Sequence, residues 1–187
     1  IVPTTNPWDE LAVRELYSAR HFYAHHQVAV AAEILRQAAN KARRRREELS
    51  TLADLCELLA RADDFQFRNL FREFKRRELA LGVIFQGNRR SVFDQLQRLA
   101  AHWRQLEEES GLITSGTRLG VAAHRTLLEL IANAERRAAQ GRFDDAAARL
   151  YRAVELAAQN RLAEAFQARL GNLTIEQIPE QHRDEFA

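Results

Sequence analysis

The chain has 187 residues, of which 46% are apolar and 29% charged, and this is the composition of an ordinary globular protein rather than a disordered one. This length suits one domain or two small ones, and it is sufficient to bury a core. The formal net charge of +2 is too small to indicate nucleic-acid binding from global electrostatics.

The first helical pattern is "NPWDELAVRELYSARHFYAHH". Asn6 is the expected N-cap, Pro7 takes the first helical position, and Asp9 and Glu10 lie where the helix dipole favours negative charge. The next segment, "VAVAAEILRQAANK", places its apolar residues on one helical face. We therefore expect the two segments to form an antiparallel pair.

A second helical pair is predicted from "LADLCELLARA" and "FQFRNLFREFKRRELALGVIF", which flank Asp63-Asp64. Cys56 lies on the apolar face of the first segment and is expected to be a small core residue. A single cysteine excludes a disulfide framework or a cysteine-based metal site within one chain. Leu81 to Phe85 is the only stretch that resembles a strand. A long amphipathic helix, "SVFDQLQRLAAHWRQLEEE", follows and is expected to end near Gly111.

The segment "SGLITSGTRLG" combines three glycines with serine and threonine, and it predicts a boundary. We divide the chain into a helical bundle subregion over residues 1–110, a linker over 111–120, and a helical hairpin subregion over 121–187. The hairpin should turn at Gln140-Gly141, and its second helix should end at Gly171-Asn172, before a tail around Pro179.

A loose internal repeat joins these hairpins. Each copy has an aromatic or branched residue, a small residue three positions on, and a large residue seven positions on, beginning at Val28, Phe67 and Phe143. The predicted fold is all-α, a bundle of antiparallel helical hairpins that is loosely tetratricopeptide-like in places. On the last long helix the expected interior residues are Phe143, Ala146, Leu150 and Val154, and the expected solvent-facing residues are Asp144, Asp145 and Arg152.

Histidines near arginines are the first candidates for chemistry: His21, His25 and His26 lie close to Arg14 and Arg20. Arg20 and His25 have the spacing of a HEPN ribonuclease motif, in which arginine stabilises phosphorane charge and histidine handles the proton. Arg118 and His124 have a similar spacing. Lys41 and Lys75 are the only lysines among the 28 basic residues, and the rest are arginines. In a chain with so many arginines, such spacings arise by chance. Arg20 and His25 would lie about 140° apart around a helix. We therefore favour surface or boundary histidines.

Other charged groups have structural explanations as well as functional ones. Arg43 to Arg46 can be a phosphate patch or, as we favour, cations at a helix C-terminus. Arg89-Arg90 lies beside a helix N-terminus, where an anion can bind. Asp63-Asp64 and Asp144-Asp145 are interpreted as acids at helix starts rather than metal ligands. The sequence contains no glycine-rich phosphate loop, zinc spacing or nucleophile elbow, so we assign no catalytic, cofactor-binding or metal-binding residue and no cofactor.

Two quoted segments carry a family resemblance. "LLELIANAERRAAQGRFDDAAARLYRAVELAAQNRL", followed by "LTIEQIPE", resembles a C-terminal region of CRISPR-associated proteins that join a CARF sensor to a helical HEPN region. "NPWDELAVRELYSARHFYAHHQVAVAAEILRQA" is similar to the helices that follow the CARF domain in those proteins. The resemblance implies a cyclic-oligoadenylate sensor coupled to RNA cleavage at a dimeric HEPN site, within an antiviral defence protein.

The chain departs from that family in two ways. It has no alternating strands and helices that would form a CARF sensor, and no Arg-Asn followed by histidine after Pro179; Arg68-Asn69 has no such histidine either. Since the chain also opens on Ile1 and contains no methionine, we expect a fragment whose sensor and catalytic motif lie outside these residues. No family catalytic residue is carried over.

Three functions remain open at this point. The first is a scaffold part of a cytoplasmic CRISPR-associated ribonuclease that forms a homodimer, meets RNA and cyclic oligoadenylate only through the parent protein, and is inactive alone. The second is a helical-repeat adaptor that binds other proteins. The third is a self-contained HEPN nuclease that uses Arg20 and His25. No apolar run approaches the length that a membrane helix needs, and no signal peptide pattern is present, so no membrane association is expected.

Overall fold

A computed structural model gives the structure of residues 7–114, 122–166 and 180. Over these residues the chain forms seven α-helices and no strands, which confirms the all-α prediction. The stretch that resembled a strand is helical through Ile84, and Phe85 is the C-cap. The helices are α1 Pro7–Ala24, α2 Val28–Lys41, α3 Arg46–Asp63, α4 Leu70–Ile84, α5 Arg90–Thr114, α6 Ala122–Ala139 and α7 Phe143–Phe166.

The chain divides into two compact units, Ile1–Arg104 and Gln105–Ala187, and the division falls within α5. That helix continues to Thr114, four residues into the segment predicted as a linker. The rest of that segment lies outside the described residues, so the linker and the two subregions that it separates stay predictions. The proposed N-cap Asn6, the Gly171-Asn172 stop and Pro179 also lie outside them.

In the first unit, successive helices pack against each other from α1 to α4. Small side chains fill the contact between the first three helices, as Ala12, Ala31 and Ala53 show by being almost completely buried. Alanine at these positions lets helix backbones approach closely while it loses little side-chain entropy. Cys56 is buried in the same core, as predicted, and burial, followed by the charge of nearby Glu57, raises the pKa of its thiol to about 11.

Two of the three predicted repeat copies pack as expected. Phe67, Leu70 and Phe74 are all buried, and Phe74 meets the Trp103 ring edge to face at 6.5 Å between centroids. Ala31 and Leu35 are buried on α2 at the equivalent positions. The repeat therefore describes the packing of α2 and α4, and the third copy, in α7, departs from it.

Charged side chains tie the helices of the first unit together across their outer edges. Arg36 on α2 and Arg77 on α4 donate to the two carboxylate oxygens of Asp54 on α3, at 2.5 and 2.7 Å. Asp9 on α1 accepts the backbone amides of Arg43 and Arg44 through Oδ1, at 2.9 and 3.1 Å. These contacts fix the α2–α3 loop and the order of the helices.

Candidate functional site

The α6–α7 hairpin of the second unit is the candidate functional region. Its turn is made at Gly141, whose φ of 74° lies in the left-handed region that glycine adopts without a steric penalty. The amide of Gly141 donates to the Ala138 carbonyl and the amide of Arg142 to the Arg137 carbonyl, both at 2.9 Å. These bonds satisfy carbonyls at the end of α6 and start α7 immediately afterwards.

Small side chains dominate the contact between α6 and α7. Leu130 and Ala134 of α6 are buried, and so are Ala146, Ala153 and Leu156 of α7. Their spacing of seven and three residues places the buried side chains of α7 on one side of the helix. The two helices therefore pack closely, and the side chains on the other sides of α7 project outwards.

This contact corrects the predicted orientation of α7. Ala146 is buried as expected, but three other predicted interior residues are exposed: Phe143 by 70%, Leu150 by 48% and Val154 by 69%. Asp144 and Arg152 are exposed as predicted, whereas Asp145 is only partly exposed. The prediction failed because α7 carries apolar residues on two sides, and the alanine-rich side is the one that meets α6.

The exposed side of α7 forms an apolar surface. Phe143, Leu150, Tyr151 and Val154, which we call the α7 face, lie within about 100° of arc at 3.6 residues per turn. Tyr151 is 75% exposed. Isolated exposed apolar residues are common, but a contiguous set of this kind marks an interaction surface.

Polar groups are also buried in the second unit. Asn133 is completely buried and Arg137, one turn later on α6, is 5% exposed. Glu109, on α5, is also buried and accepts bonds from Arg125 at 2.8 Å and from Thr126 at 3.2 Å. Buried charge is retained in proteins where it is paired or hydrogen-bonded, and Glu109 meets this condition through Arg125 and Thr126.

Sequence reasoning missed these buried polar residues. A signal existed, because Ala123, Leu130, Asn133 and Arg137 share the three-and-four spacing of a single helical face. In a chain with so many exposed arginines, that spacing did not distinguish Arg137 from its neighbour Arg136, which pairs with Glu129.

The histidine candidates near Arg20 lie at the end of α1 and in the turn that follows it. Arg20 and His25 are both exposed, α1 ends at Ala24, and no hydrogen bond joins the two side chains. His25 instead donates from Nδ1 to the His21 carbonyl at 2.8 Å, and the two rings lie 4.4 Å apart. His26 has a φ of 59°, where the chain turns towards α2. Arg118 lies outside the described residues, and His124 is exposed.

The arginine runs have structural contacts. Arg46 donates to the carbonyls of Ala42 and Asn40 at the end of α2, as expected for a cation at a helix C-terminus. Arg45 forms a two-point contact with Glu48, at 2.8 and 2.9 Å. Arg90 pairs with Asp94 and lies over the Phe93 ring, while Arg89 is exposed in a 3-10 turn.

The two pairs of adjacent aspartates lie at different ends of their helices. Asp144-Asp145 lies in the first turn of α7, where the dipole favours acids, and Asp145 pairs with Arg142. Asp63-Asp64 lies at the C-terminal end of α3, so its interpretation as a helix start was wrong. Among the described residues no group of three or more side chains is arranged to hold a metal ion.

Neither a ligand pocket nor a membrane segment emerges from the described part of the chain. A shallow groove between α1 and α2, which Trp8, Ile34 and Lys41 help to line, has a volume of about 60 Å³. That space takes a few water molecules and is far below the volume of small-ligand pockets. Within the same residues, none of the helices has the length and apolarity required to cross a bilayer.

Comparison with known proteins identifies the hairpin. Residues 119–186, just over a third of the chain, match the family model of the Csm6 HEPN domain. No curated protein and no solved structure matches the chain. The match begins before α6, includes all of α7, and leaves the first unit unassigned. The second unit therefore carries a CRISPR-associated HEPN-type region, of the kind found in ribonuclease effectors.

Proposed function

We propose that this chain is the helical, effector-side part of a CRISPR-associated antiviral ribonuclease whose activity is regulated by cyclic oligoadenylate. The observation that carries the proposal is the match of residues 119–186 to the Csm6 HEPN domain. The all-α fold of the described residues agrees with it. The same match favours this function over a free-standing adaptor that binds other proteins through its helical hairpins.

The chain supplies the scaffold rather than the reacting groups in this proposal. Cleavage by attack of the RNA 2′-hydroxyl needs an arginine to stabilise the phosphorane charge and a histidine to transfer the proton at one phosphodiester. The local Arg–His candidate in the described residues, Arg20 with His25, is not joined by a hydrogen bond and lies outside the HEPN-matching region. We therefore propose that the catalytic motif and the CARF sensor belong to other parts of the same cytoplasmic protein.

The α7 face gives the scaffold a partner, which we propose is the same face of a second copy. A two-fold symmetric dimer buries identical patches against each other, so one apolar surface on each chain is sufficient. Phe143 and Tyr151 provide aromatic side chains of the kind enriched at such interfaces, and Val154 adds apolar area beside them. A HEPN site built from two copies would then be held in register by α7.

The proposed function is tested by expressing the complete gene product that contains this chain. Cleavage of a fluorescent single-stranded RNA should occur without a divalent metal and should increase when cyclic oligoadenylate is added. A gene product that has no effect on RNA under any of these conditions, yet captures a defined protein partner through α6 and α7, would favour the adaptor instead.

A further inference from the structure

Three arginines lie on or just before the N-terminal half of α4. Arg72 and Arg76 are four residues apart on the outer side of the helix, within about 40° of arc, and Arg68 lies in the turn before the helix, next to Asn69. All three side chains are exposed. We call this set the α4 arginine row.

The charges of the row are not neutralised by neighbouring acids. Within the part of the chain that the structure describes, the three guanidinium groups make no ion pair, and the acids around α4 contact other cations. Those pairs are Glu73 with Arg61 at 2.9 Å, Asp54 with Arg77 at 2.7 Å, and Glu78 with Lys75. Counting its four basic and two acidic residues, α4 alone carries 4 − 2 = +2, which equals the net charge of the entire chain.

The fold gives no reason for this arrangement. Cations near a helix N-terminus interact unfavourably with the helix dipole, yet Arg68 and Arg72 are placed there. The side of α4 that stabilises the core is the opposite one, where Leu70, Phe74 and Leu81 are buried. Exposed cations on the side of α4 that does not pack in the core are available to bind an anionic ligand.

We propose that the α4 arginine row binds the phosphate backbone of single-stranded RNA. This inference rests on the proposed function, because RNA is the polyanion that a ribonuclease effector meets, but the row lies outside the HEPN-matching residues. Four residues of helix rise about 6 Å. Arg72 and Arg76 can therefore meet successive phosphates of an extended strand, with Arg68 beyond the start of the helix, and the planar guanidinium group contacts phosphate oxygens through two parallel hydrogen bonds.

The arrangement fits RNA better than a membrane. Leu79 and Val83 continue the row towards the C-terminus and are 84% and 60% exposed, but α4 offers only these two aliphatic side chains beside its cations. Membrane-surface helices insert a broad apolar face, and the broad apolar face of α4 is already in the core. Contacts limited to phosphates also imply binding with little sequence preference.

The test measures binding of the complete 187-residue chain to fluorescein-labelled oligouridine by anisotropy over a range of salt concentrations. A triple variant, Arg68→Gln, Arg72→Gln and Arg76→Gln, should bind at least about 10-fold more weakly. In a plot of log Kd against log salt concentration, the slope of the triple variant should be smaller by about 2, because each phosphate contact on a single strand contributes about 0.7 to that slope. The matched control replaces Arg14, Arg20 and Arg44, three other exposed arginines, with glutamine, and its affinity should change less than about twofold.

Equal losses in the two triple variants would overturn the proposal, because net charge alone would then explain binding. It would also be overturned if the row variant lost binding to vesicles containing phosphatidylserine, or to polyglutamate, while its RNA binding was unchanged. Circular dichroism confirms that both variants keep the helical fold. The assay measures RNA binding by the chain itself, independently of RNA cleavage by the complete gene product. The binding proposal can therefore fail while the proposed function holds, and it can hold while the proposed function fails.

Discussion

Phe143 and Leu150 lie two turns apart on the same exposed side of α7, and Val154 continues that side one turn further. Each buried square ångström of apolar surface contributes about 25 cal/mol, so leaving these side chains in water forgoes a substantial stabilisation. Burying these side chains against a partner surface would recover that stabilisation. This relationship is the structural basis for expecting that two copies pair through α7.

Replacing Phe143 and Val154 together with glutamate should therefore separate the dimer. Two charges on each copy would have to be desolvated at the interface, and the expected weakening of self-association is roughly 100-fold or more, measured by sedimentation equilibrium. Tyr17→Glu is the matched control, because Tyr17 is 68% exposed but lies on α1 in the first unit. It should leave the dimer intact, and a double variant that still dimerises as the parent chain does would show that α7 is not the interface.

The helices were predictable because their signals are local. Pro7 with the acids of the first turn marked the start of α1, and the spacing of Ala31 and Leu35 marked the buried side of α2. Such signals depend only on the periodicity of one segment. They identified the hairpins and the all-α class without any knowledge of how the helices meet.

The buried side of α7 was not predictable in the same way. Phe143 and Val154 are larger and more apolar than Ala146 and Ala153, so a rule based on side-chain size selects the wrong side. Close approach to α6 favours the smaller residues, and this depends on the partner helix rather than on α7 alone. Asn133 and Arg137 share a helical face with Leu130, but that spacing alone did not mark them as buried, because their burial depends on how α6 packs against other helices.

Asp54→Asn should destabilise the first unit because it weakens the links from α3 to both Arg36 and Arg77. The expected loss in free energy of unfolding at pH 7 is about 1–3 kcal/mol, as for hydrogen bonds to charged groups, measured by urea denaturation. Asp94→Asn is the control, since Asp94 forms a more exposed pair with Arg90, and it should cost less than about 1 kcal/mol.

The same carboxylate predicts a pH dependence. Burial raises the pKa of Asp54, but the hydrogen bonds from Arg36 and Arg77 outweigh burial and hold that pKa below its ordinary value of 3.8. Its stabilisation is therefore complete above the unfolded-state pKa and is lost as the pH falls below it and through the folded-state pKa. The decline in free energy of unfolding below pH of about 4 should be shallower in Asp54→Asn, and identical slopes would exclude this role.

Asp9→Ala should loosen the α2–α3 loop, because two backbone amides lose the oxygen that accepts them. We expect a loss of about 1–2 kcal/mol in free energy of unfolding and faster hydrogen exchange at the amides of Arg43 and Arg44. Glu10→Ala removes a neighbouring acid from the same helical turn and serves as the control. If it had the same effect as Asp9→Ala, the helix dipole rather than the loop contact would be responsible.

The most direct test of the scaffold assignment is an RNA cleavage assay on the purified 187-residue chain. Single-stranded RNA should remain intact in the absence of metal, with or without cyclic oligoadenylate, because Arg20 and His25 do not meet at one phosphodiester. His25→Ala should behave identically. Metal-independent cleavage that is abolished by His25→Ala would contradict the assignment and would establish the chain as a self-contained nuclease.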